Sequence, residues 1–283
     1  MFMYTDYNQH LLDNVKKIHF IGCGGSGMYP LIQILAAKGY EISGSDVLDG
    51  SIIRYEREMG VKVSLGHSAD NVIGTDMVVY SAAISKDNVE LNAAASYGIP
   101  TIERSVLLGY VSRLYKQSIC VSGTHGKTTT TSMISQILLQ AGLDPSLFIG
   151  GRLPLINANG RAGATDTMIC EACEFQDHYL EMIPAVAVIL NIDADHLDYF
   201  GTLDNVIASF RKFAARTTGT LIVNMEDENA PLAVRGLSGP RVITYGLQGD
   251  WDWTAKNVGV TDGSYGTYDL YHEGGFIAHV RLG

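Results

Sequence analysis

A glycine-punctuated stretch near the middle of the chain holds the residue types best suited to chemistry. Residues 120–130 read CVSGTHGKTTT, and an apolar run from Ser118 to Val121 leads into them. The spacing predicts a strand, a tight turn and an amphipathic helix that begins near Lys127 and ends near Gln140. Backbone N–H groups in such a turn, together with the N-terminus of the helix, bind phosphate.

This stretch therefore predicts a nucleotide-binding loop. Lys127 can reach the terminal phosphates and the Thr128 hydroxyl can ligate Mg²⁺, so ATP with Mg²⁺ is the expected ligand. The match to G-x-x-x-x-G-K-[ST] is incomplete, because Val121 stands where the pattern has glycine. A helix capped by Thr124 would explain the glycines but not the Lys-Thr pair that follows them. The residues expected to hold ATP are Gly123, Thr124, His125, Gly126, Lys127, Thr128 and Thr129.

A second glycine turn lies near the start of the chain. Residues 18–28 read IHFIGCGGSGM, an apolar run followed by Gly22-x-Gly24-x-x-Gly27 and then by a helical pattern. Asp46 ends the next strand-like run, at about the 20-residue distance typical of a ribose-binding acid. Taken alone, this pattern would indicate NAD. The pattern provides only a binding site for a diphosphate at a helix N-terminus, however, and a UDP-sugar contains a diphosphate as NAD does.

Acidic and amide side chains follow two later strand-like runs. The run from Thr167 to Cys170 leads to Glu171 and Glu174, and the run from Val186 to Leu190 leads into residues 191–198, which read NIDADHLD. An acid after a hydrophobic strand is where a phosphate-loop sheet keeps its metal ligands. Turn and cap chemistry is the alternative for the second cluster.

Three motifs in this order resemble the Mur ligase family, the ATP-dependent amide-forming enzymes of peptidoglycan precursor synthesis. They are residues 18–28, the variant loop GTHGKTT at 123–129, and residues 191–198. They are most similar to the branch that joins L-alanine to UDP-N-acetylmuramate. The resemblance assigns the first glycine turn to this UDP-sugar rather than to NAD. The substrate-binding residues that it implies are Gly22, Gly24, Gly25, Ser26, Gly27, Met28, Asp46 and Ser81.

Two residues near the first turn keep alternative interpretations. Ser81 follows a strand-like run, where open α/β sheets place ligand loops, but a turn or helix cap explains it equally well. Arg104 could meet a phosphate, although a solvated arginine is the favoured interpretation.

The resemblance also implies catalytic and metal-binding residues. The expected catalytic residues are Lys127, His125, Glu171 and His196, and the expected Mg²⁺ ligands are Thr128, Glu171 and His196. Relatives often show E-A-D-E where residues 171–174 read EACE, so Cys173 departs from the family pattern. A solvated histidine is the alternative for His125.

The implied reaction is ATP-dependent ligation of L-alanine to UDP-N-acetylmuramate through an acyl phosphate. A ligase that recycles murein tripeptide onto the same UDP-sugar shares both phosphate sites, so the amine is left open. A nucleotide-binding module without turnover is the alternative from a different functional class. Mur ligases continue into a third domain that has no counterpart in this sequence, so we expect a truncated chain that binds both nucleotides and is inactive alone.

Short β-rich runs alternate with helical ones, which predicts an α/β protein with helix-covered parallel sheets. We expect a Rossmann-like, UDP-sugar-binding domain in residues 1–116 and a phosphate-loop, ATP-binding domain in residues 117–283. Three alternating runs after residue 250, the first two separated by Asp262-Gly263, predict a small antiparallel extension. The Gly/Asn-rich stretch from Asn157 to Thr165 is expected to be a mobile loop.

The composition is that of an acidic globular protein. Thirty acidic and 20 basic residues give a formal net charge of −10, which repels nucleic acid and anionic membranes, so neither is an expected partner. Four cysteines in 283 residues do not form a disulfide scaffold, and the pair Cys170 and Cys173 lacks the second pair of a zinc site. With no apolar run of about 18 residues and no signal-peptide pattern, we expect a cytoplasmic location.

Overall fold

The structure, a computed structural model, describes residues 10–261, 263 and 265–282. The strands in these residues are, in chain order, β1 Lys17–Ile21, β2 Glu41–Asp46, β3 Lys62–Leu65, β4 Met77–Tyr80, β5 Thr101–Glu103, β6 Gln117–Ser122, β7 Ser146–Leu153, β8 Ala158–Arg161, β9 Thr167–Glu171, β10 Val186–Ile189, β11 Thr220–Asn224, β12 Arg241–Gly246, β13 Trp253–Thr261, β14 Tyr265–His272 and β15 Gly275–Arg281. The α-helices are α1 Tyr29–Ala37, α2 Ser51–Glu58, α3 Val89–Tyr97, α4 Arg104–Arg113, α5 Lys127–Gln140, α6 Leu197–Phe200, α7 Leu203–Ala215 and α8 Ala230–Val234.

The described residues divide into two compact units. The first contains the residues up to Ser118 together with Thr128–Glu171, and the second contains Ile119–Lys127 and the residues from Ala172 onward. Strand β6 and helix α5 therefore contribute residues to both units. The expected domain division between residues 116 and 117 differs from these units and stays a prediction.

A five-stranded parallel sheet in the first unit has the order β3-β2-β1-β4-β5. The strand order reverses between β1 and β4, and parallel sheets bind ligands in the crevice at such a switch point. The glycine turn 22–27 follows β1, and Ser81 follows β4. Helix α1 buries an apolar face, which holds the helix after the glycine turn in place.

Strands β7 and β8 of the first unit form a hairpin where a loop was expected. Strand β7 pairs in parallel with β9 and antiparallel with β8, so the prediction of a loop from Asn157 to Thr165 is wrong for the residues of β8. Asn157 adopts a left-handed conformation, φ 54°, after the 3₁₀ turn Pro154–Ile156. Asparagine tolerates this conformation, so the residues that suggested a loop supply a turn instead.

The second unit has a mixed sheet in the order β15-β14-β13-β12-β11-β10-β6. Pairing is parallel from β6 to β13 and antiparallel from β13 to β15. Together with the first unit, this confirms the α/β class and the antiparallel extension. The turn expected before β14 is Asp262-Gly263, and Asp262 lies outside the described residues. None of the helices in the described part of the chain is long and apolar enough to cross a membrane.

A buried carboxyl group, Glu56, lies on α2 beneath the first glycine turn. Its side chain is fully buried, and in the described part of the chain no N–H or O–H group donates to its carboxylate oxygens, so the weakly donating thiol of Cys23 is its nearest polar partner. Burial raises the pKa of Glu56 to about 7, the nearby thiol of Cys23 lowers it, and the charge of Asp46 raises it further. The native state therefore favours the neutral form of this side chain.

We expect Glu56→Gln to stabilise the protein selectively at alkaline pH. The folded pKa of Glu56 lies above the unfolded one. The contribution of its neutral form to the stability of the protein is therefore fully present below about pH 4.5 and is lost as pH rises through about 7. The glutamine side chain has no charge to bury, so the free energy of unfolding of the variant should exceed that of the wild type by about 1–3 kcal/mol at pH 8 and match it near pH 4.5. Urea unfolding at both pH values measures this. The exposed Glu58→Gln on the same helix is the control, and a less stable Glu56→Gln variant at pH 8 contradicts the expectation.

Candidate active site

The turn that joins β6 to α5 depends on two glycines. Gly123 and Gly126 have φ values of 144° and 83°. A Cβ on Gly123 would lie 2.9 Å from the Cβ of Leu190 and 3.3 Å from backbone atoms of Asn191. Only glycine combines this conformation with this close approach. The chain can therefore turn against the end of β10 and enter α5 at Lys127.

The side chain of Asn191 fixes this turn from the other side. Its Oδ1 accepts a 2.8 Å hydrogen bond from the backbone N–H of His125, and its Nδ2 donates a 3.0 Å bond to the His125 carbonyl. The Asn191 carbonyl accepts from Thr124 N–H at 3.1 Å, and Thr124 Oγ1 accepts from Asp193 N–H at 2.9 Å. We call residues 123–126 the phosphate loop and residues 191–193 its clamp.

Helix α5 places a positive end at the phosphate loop. The first N–H groups of a helix have no intrahelical acceptor, and they carry partial positive charge that attracts anions. No acidic residue of the helix itself lies in the first turn of α5. Thr129, also expected to bind ATP, is exposed in this turn. The loop and the start of α5 thus have the properties expected of a phosphate site.

Lys127 lies across the phosphate loop. Its Nζ donates to the carbonyls of Gly123 and Thr124 at 2.6 and 3.1 Å. It also donates to Oε1 of Glu174 at 3.0 Å and lies 2.9 Å from Oε2 of the same carboxylate. The Lys127 side chain is 16% exposed and that of Glu174 only 2%. A largely buried ion pair therefore holds the ammonium group at the loop.

Thr128 and Glu171, both in the first unit, form a pair of oxygen donors. Thr128 Oγ1 donates a 3.1 Å hydrogen bond to Glu171 Oε2, and Gly150 N–H donates a 2.6 Å bond to Glu171 Oε1. A Cβ on Gly150 would lie 2.5 Å from Glu171 Oε2, so a side chain there would displace the carboxylate from this position. A hydroxyl and a carboxylate are ligand types that Mg²⁺ accepts. These two residues fit the predicted metal site, whereas no local pattern indicated the part that Gly150 plays.

The two predicted catalytic histidines lie in the second unit, each near an acid. The Nε2 of His125 is 3.8 Å from Asp193 Oδ2, and that of His196 is 3.8 Å from Asp195 Oδ2. His196 has φ 52°, and its ring makes an edge contact with Phe175 at a centroid distance of 4.9 Å. No group of three or more His, Cys, Asp or Glu side chains able to hold a metal occurs in the described part of the chain. The role of His196 as a metal ligand stays a prediction.

In the first unit, the Asp46 carboxylate accepts hydrogen bonds from one backbone N–H of the turn after β1 and from one just after β2. Gly24 N–H donates to Asp46 Oδ2 at 2.9 Å, and Leu48 N–H donates to Oδ1 at 3.0 Å. Ser81 caps its own turn, because its Oγ accepts from Ala83 N–H at 3.3 Å. Met28 is 1% exposed, so its side chain belongs to the core. The substrate roles of these three residues stay predictions.

Arg104 lies closer to this turn than the sequence suggested. A Cβ on Gly27 would lie 3.2 Å from Arg104 Nη1, and the guanidinium carbon lies 6.0 Å from the centre of the Phe148 ring. The favoured interpretation of a solvated arginine is therefore wrong. This packing depends on tertiary structure, so no local pattern could have indicated it.

A cavity of about 630 Å³ in the first unit begins at Ser26 and Tyr29. Arg152, Asn159 and Arg161 line its other side, and Asn159 Nδ2 donates to the Ser26 carbonyl. Sequence reasoning missed these three residues because it assigned most of that stretch to a loop. The cavity and the glycine turn together offer space, backbone N–H groups and positive charge to one ligand.

Two domains of one known protein family match this chain. The Mur ligase middle domain matches residues 121–282, and the Mur ligase family catalytic domain matches residues 17–116. The chain belongs to the Mur ligase family. This membership explains why one chain carries two glycine turns of different pattern.

Several relatives show which branch this Mur ligase chain is most similar to. The UDP-N-acetylmuramate–L-alanine ligases of Caldanaerobacter subterraneus and Clostridium tetani are 42% and 41% identical to it over 96% of its length. The chain spans only 59% of the length of each. The crystal structure of the UDP-N-acetylmuramate–alanine ligase of Thermotoga maritima matches with a TM-score of 0.81 and 26% identity, over 94% of this chain and 60% of that one.

Loss of the Asn191 amide should loosen the phosphate loop. Asn191→Ala removes both side-chain bonds to His125, so we expect the free energy of unfolding to fall by about 1–3 kcal/mol and the amides of residues 123–126 to exchange faster with solvent. Hydrogen exchange and urea unfolding measure the two effects. Asn205→Ala is the control, because it removes a side-chain hydrogen bond from the Asn205 amide to the Phe200 carbonyl in the same unit. Unchanged exchange at 123–126 in Asn191→Ala would show that the loop does not depend on the clamp.

Proposed function

We propose that this chain supplies the nucleotide-binding parts of an ATP-dependent ligase that joins L-alanine to the lactyl carboxylate of UDP-N-acetylmuramate. The observation that carries the proposal is the Lys127 ammonium held over a clamped glycine loop at the start of α5. Membership of the Mur ligase family supports it. So do relatives more than 40% identical that are named for this reaction.

The reaction needs the carboxylate to be activated, because a carboxylate is a poor acyl donor. Its oxygen attacks the γ-phosphorus of ATP, ADP leaves, and an acyl phosphate forms. The amino group of alanine then attacks the acyl carbon, phosphate leaves, and the amine loses a proton. Negative charge accumulates on the transferred phosphoryl group in the first step, so catalysis depends on positioning and on positive charge.

We assign this positive charge to Lys127 and to Mg²⁺. Lys127 meets the terminal phosphates from within the loop, and the loop N–H groups hold the rest of the phosphate chain. Thr128 and Glu171 would hold one Mg²⁺, which would supply charge neutralisation at the phosphates, and His196 is the proposed ligand of a second. His125, exposed at the loop, would lie beside the acyl phosphate.

We assign the UDP-sugar to the turn after β1 and to the cavity beside it. The diphosphate would face the turn and the guanidinium of Arg104, and Arg152 would bring positive charge to the cavity, whereas Arg161 is paired with Asp144. Asp46 would act by shaping the site, because its oxygens accept hydrogen bonds from the backbone N–H groups of Gly24 and Leu48. Membership of the Mur ligase family supports the UDP-sugar over the dinucleotide.

The domain division and the location are part of the same proposal. The family matches end at residue 116 and resume at residue 121, which supports a UDP-sugar-binding and an ATP-binding domain divided there. All four cysteines are free thiols, and three are buried, which is compatible with the reducing cytoplasm.

Binding and ligation test the proposal separately. Titration calorimetry on this chain should show one site for Mg-ATP and one for UDP-N-acetylmuramate. Lys127→Ala should weaken Mg-ATP binding at least tenfold and leave UDP-sugar binding unchanged, because of the two ligands the lysine would contact only the nucleotide. Lys212→Ala, which removes an exposed charge in the same unit, is the control. An equal loss of affinity for Mg-ATP and for the UDP-sugar in Lys127→Ala would contradict the assignment of the two sites.

Ligation is tested in a protein that carries this chain at the full length of its relatives. ATP-dependent phosphate release should require L-alanine, and Lys127→Ala should reduce it by several orders of magnitude. Release that depends on murein tripeptide instead would favour the recycling ligase. If the protein bound nucleotide but released no phosphate with either L-alanine or murein tripeptide, a binding module would be favoured.

A further inference from the structure

The carboxylate of Glu174 is a feature of the phosphate loop that the proposed reaction does not use. Glu174 lies just beyond β9, and only 1% of the residue is exposed. Its Oε1 accepts a 3.0 Å hydrogen bond from Lys127 Nζ, and its Oε2 lies 2.9 Å from the same nitrogen. A buried carboxylate is stable when a charged partner compensates it, and Lys127 is that partner here.

The hydrogen bonds of Lys127 leave no N–H for a phosphate. A lysine ammonium has three N–H donors and no acceptor. In this structure Nζ donates to Gly123 O, to Thr124 O and to Glu174. A phosphate oxygen can bind Lys127 only if it replaces one of these three acceptors.

Of the three acceptors, Glu174 is the one that a phosphate replaces most readily. The two carbonyls are neutral and belong to the loop that wraps the phosphate, so they remain beside Nζ when the ligand enters. Glu174 carries a full negative charge that repels a phosphate placed near the same ammonium. The incoming anion and the carboxylate therefore compete for one N–H.

The backbone that carries Glu174 is anchored, so the carboxylate has little freedom to withdraw. Gln176 and Asp177 adopt left-handed conformations, φ 52° and 61°, and Asp177 N–H donates to the Glu174 carbonyl at 2.9 Å. The Asp177 carboxylate accepts hydrogen bonds from the hydroxyls of Tyr199 and Ser209. Lys127, on a long and partly exposed side chain, is the member of the pair that can change partner.

We infer that Glu174 is a positioning residue that acts through Lys127. It accepts the third N–H of Lys127, and it gives up this hydrogen bond when a nucleotide phosphate takes its place. The carboxylate thus holds the ammonium at the loop before binding and weakens the final complex, which favours release of ADP after each turnover. This inference rests on the proposed binding of ATP at the loop.

Glu174→Gln provides the direct test. Glutamine keeps the size of the side chain and an acceptor oxygen but removes the competing charge. We expect the Kd of Mg-ADP, measured by titration calorimetry on this chain, to fall about tenfold. The Kd of AMP should change little, because the loop lysine reaches the β- and γ-phosphates. If the role of Glu174 were purely structural, Glu174→Gln would instead lower the melting temperature and weaken the binding of Mg-ADP and AMP alike.

The control and the contradicting results follow from the same titrations. Glu228→Gln removes one exposed negative charge from the same unit, and it should leave the Kd of Mg-ADP unchanged. A folded Glu174→Gln protein whose Mg-ADP affinity is unchanged or weaker overturns the inference alone. Absence of Mg-ADP binding in the wild type and in every variant overturns the proposed function and the inference with it.

A second measurement needs no variant and covers the case in which Glu174→Gln does not fold. In a crystal structure of the unaltered chain with Mg-ADP, Nζ of Lys127 should contact a β-phosphate oxygen and keep the Gly123 carbonyl. Its distance to both Glu174 oxygens should exceed the roughly 3.2 Å limit of a good hydrogen bond. A complex in which Nζ bonds both the phosphate and Glu174 contradicts the exchange.

Discussion

The close approach of the phosphate loop to its clamp is the constraint on which the candidate site depends. Gly123 has no room for a side chain against Leu190 and Asn191, and the Asn191 amide bonds both the N–H and the carbonyl of His125. The loop is thus held in one conformation before any ligand arrives. Ordering a backbone residue costs about 1–2 kcal/mol, so a loop that is ordered on folding does not subtract this cost from nucleotide affinity.

Electrostatics determine what such a loop can hold in an acidic protein. The net charge of −10 repels a nucleotide at long range, so positive charge must be concentrated locally, at the N-terminus of α5, at Lys127 and at a metal ion. The buried pair of Lys127 and Glu174 adds little to stability by itself, because desolvation offsets most of its attraction. Its placement at the loop makes a functional role the better explanation.

Local patterns in the sequence predicted much of the fold. Helix α5, predicted to begin near Lys127 and to end near Gln140, is confirmed at both ends, because a glycine turn precedes it and its apolar residues follow the helical period. The two glycine turns were also found, since a tight turn before a helix restricts residue type. Helix α2 was not predicted, because it spans only Ser51–Glu58 and has a carboxyl side chain, Glu56, at one of its two buried positions.

Contacts between distant residues could not be read from the sequence. Glu174 was noted as an acid at a strand end, but its partner Lys127 lies 47 positions earlier. The place of Arg104 beside Gly27 and the hydrogen bond of Gly150 to Glu171 likewise depend on how the strands are arranged. Side-chain chemistry can be predicted from residue type, but the partner of each group requires the fold.

The proposed function depends above all on each glycine turn binding a different phosphate ligand. Nuclear magnetic resonance of the chain labelled with ¹⁵N only at glycine is the sharpest test, because both turns then report in one spectrum. Mg-ATP should shift the amide signals of Gly123 and Gly126 and leave those of Gly22, Gly24 and Gly27 in place. UDP-N-acetylmuramate should do the reverse, and NAD should shift neither set. If Mg-ATP shifted the first-turn signals, or if NAD shifted them more than the UDP-sugar does, the assignment of the two turns would be contradicted.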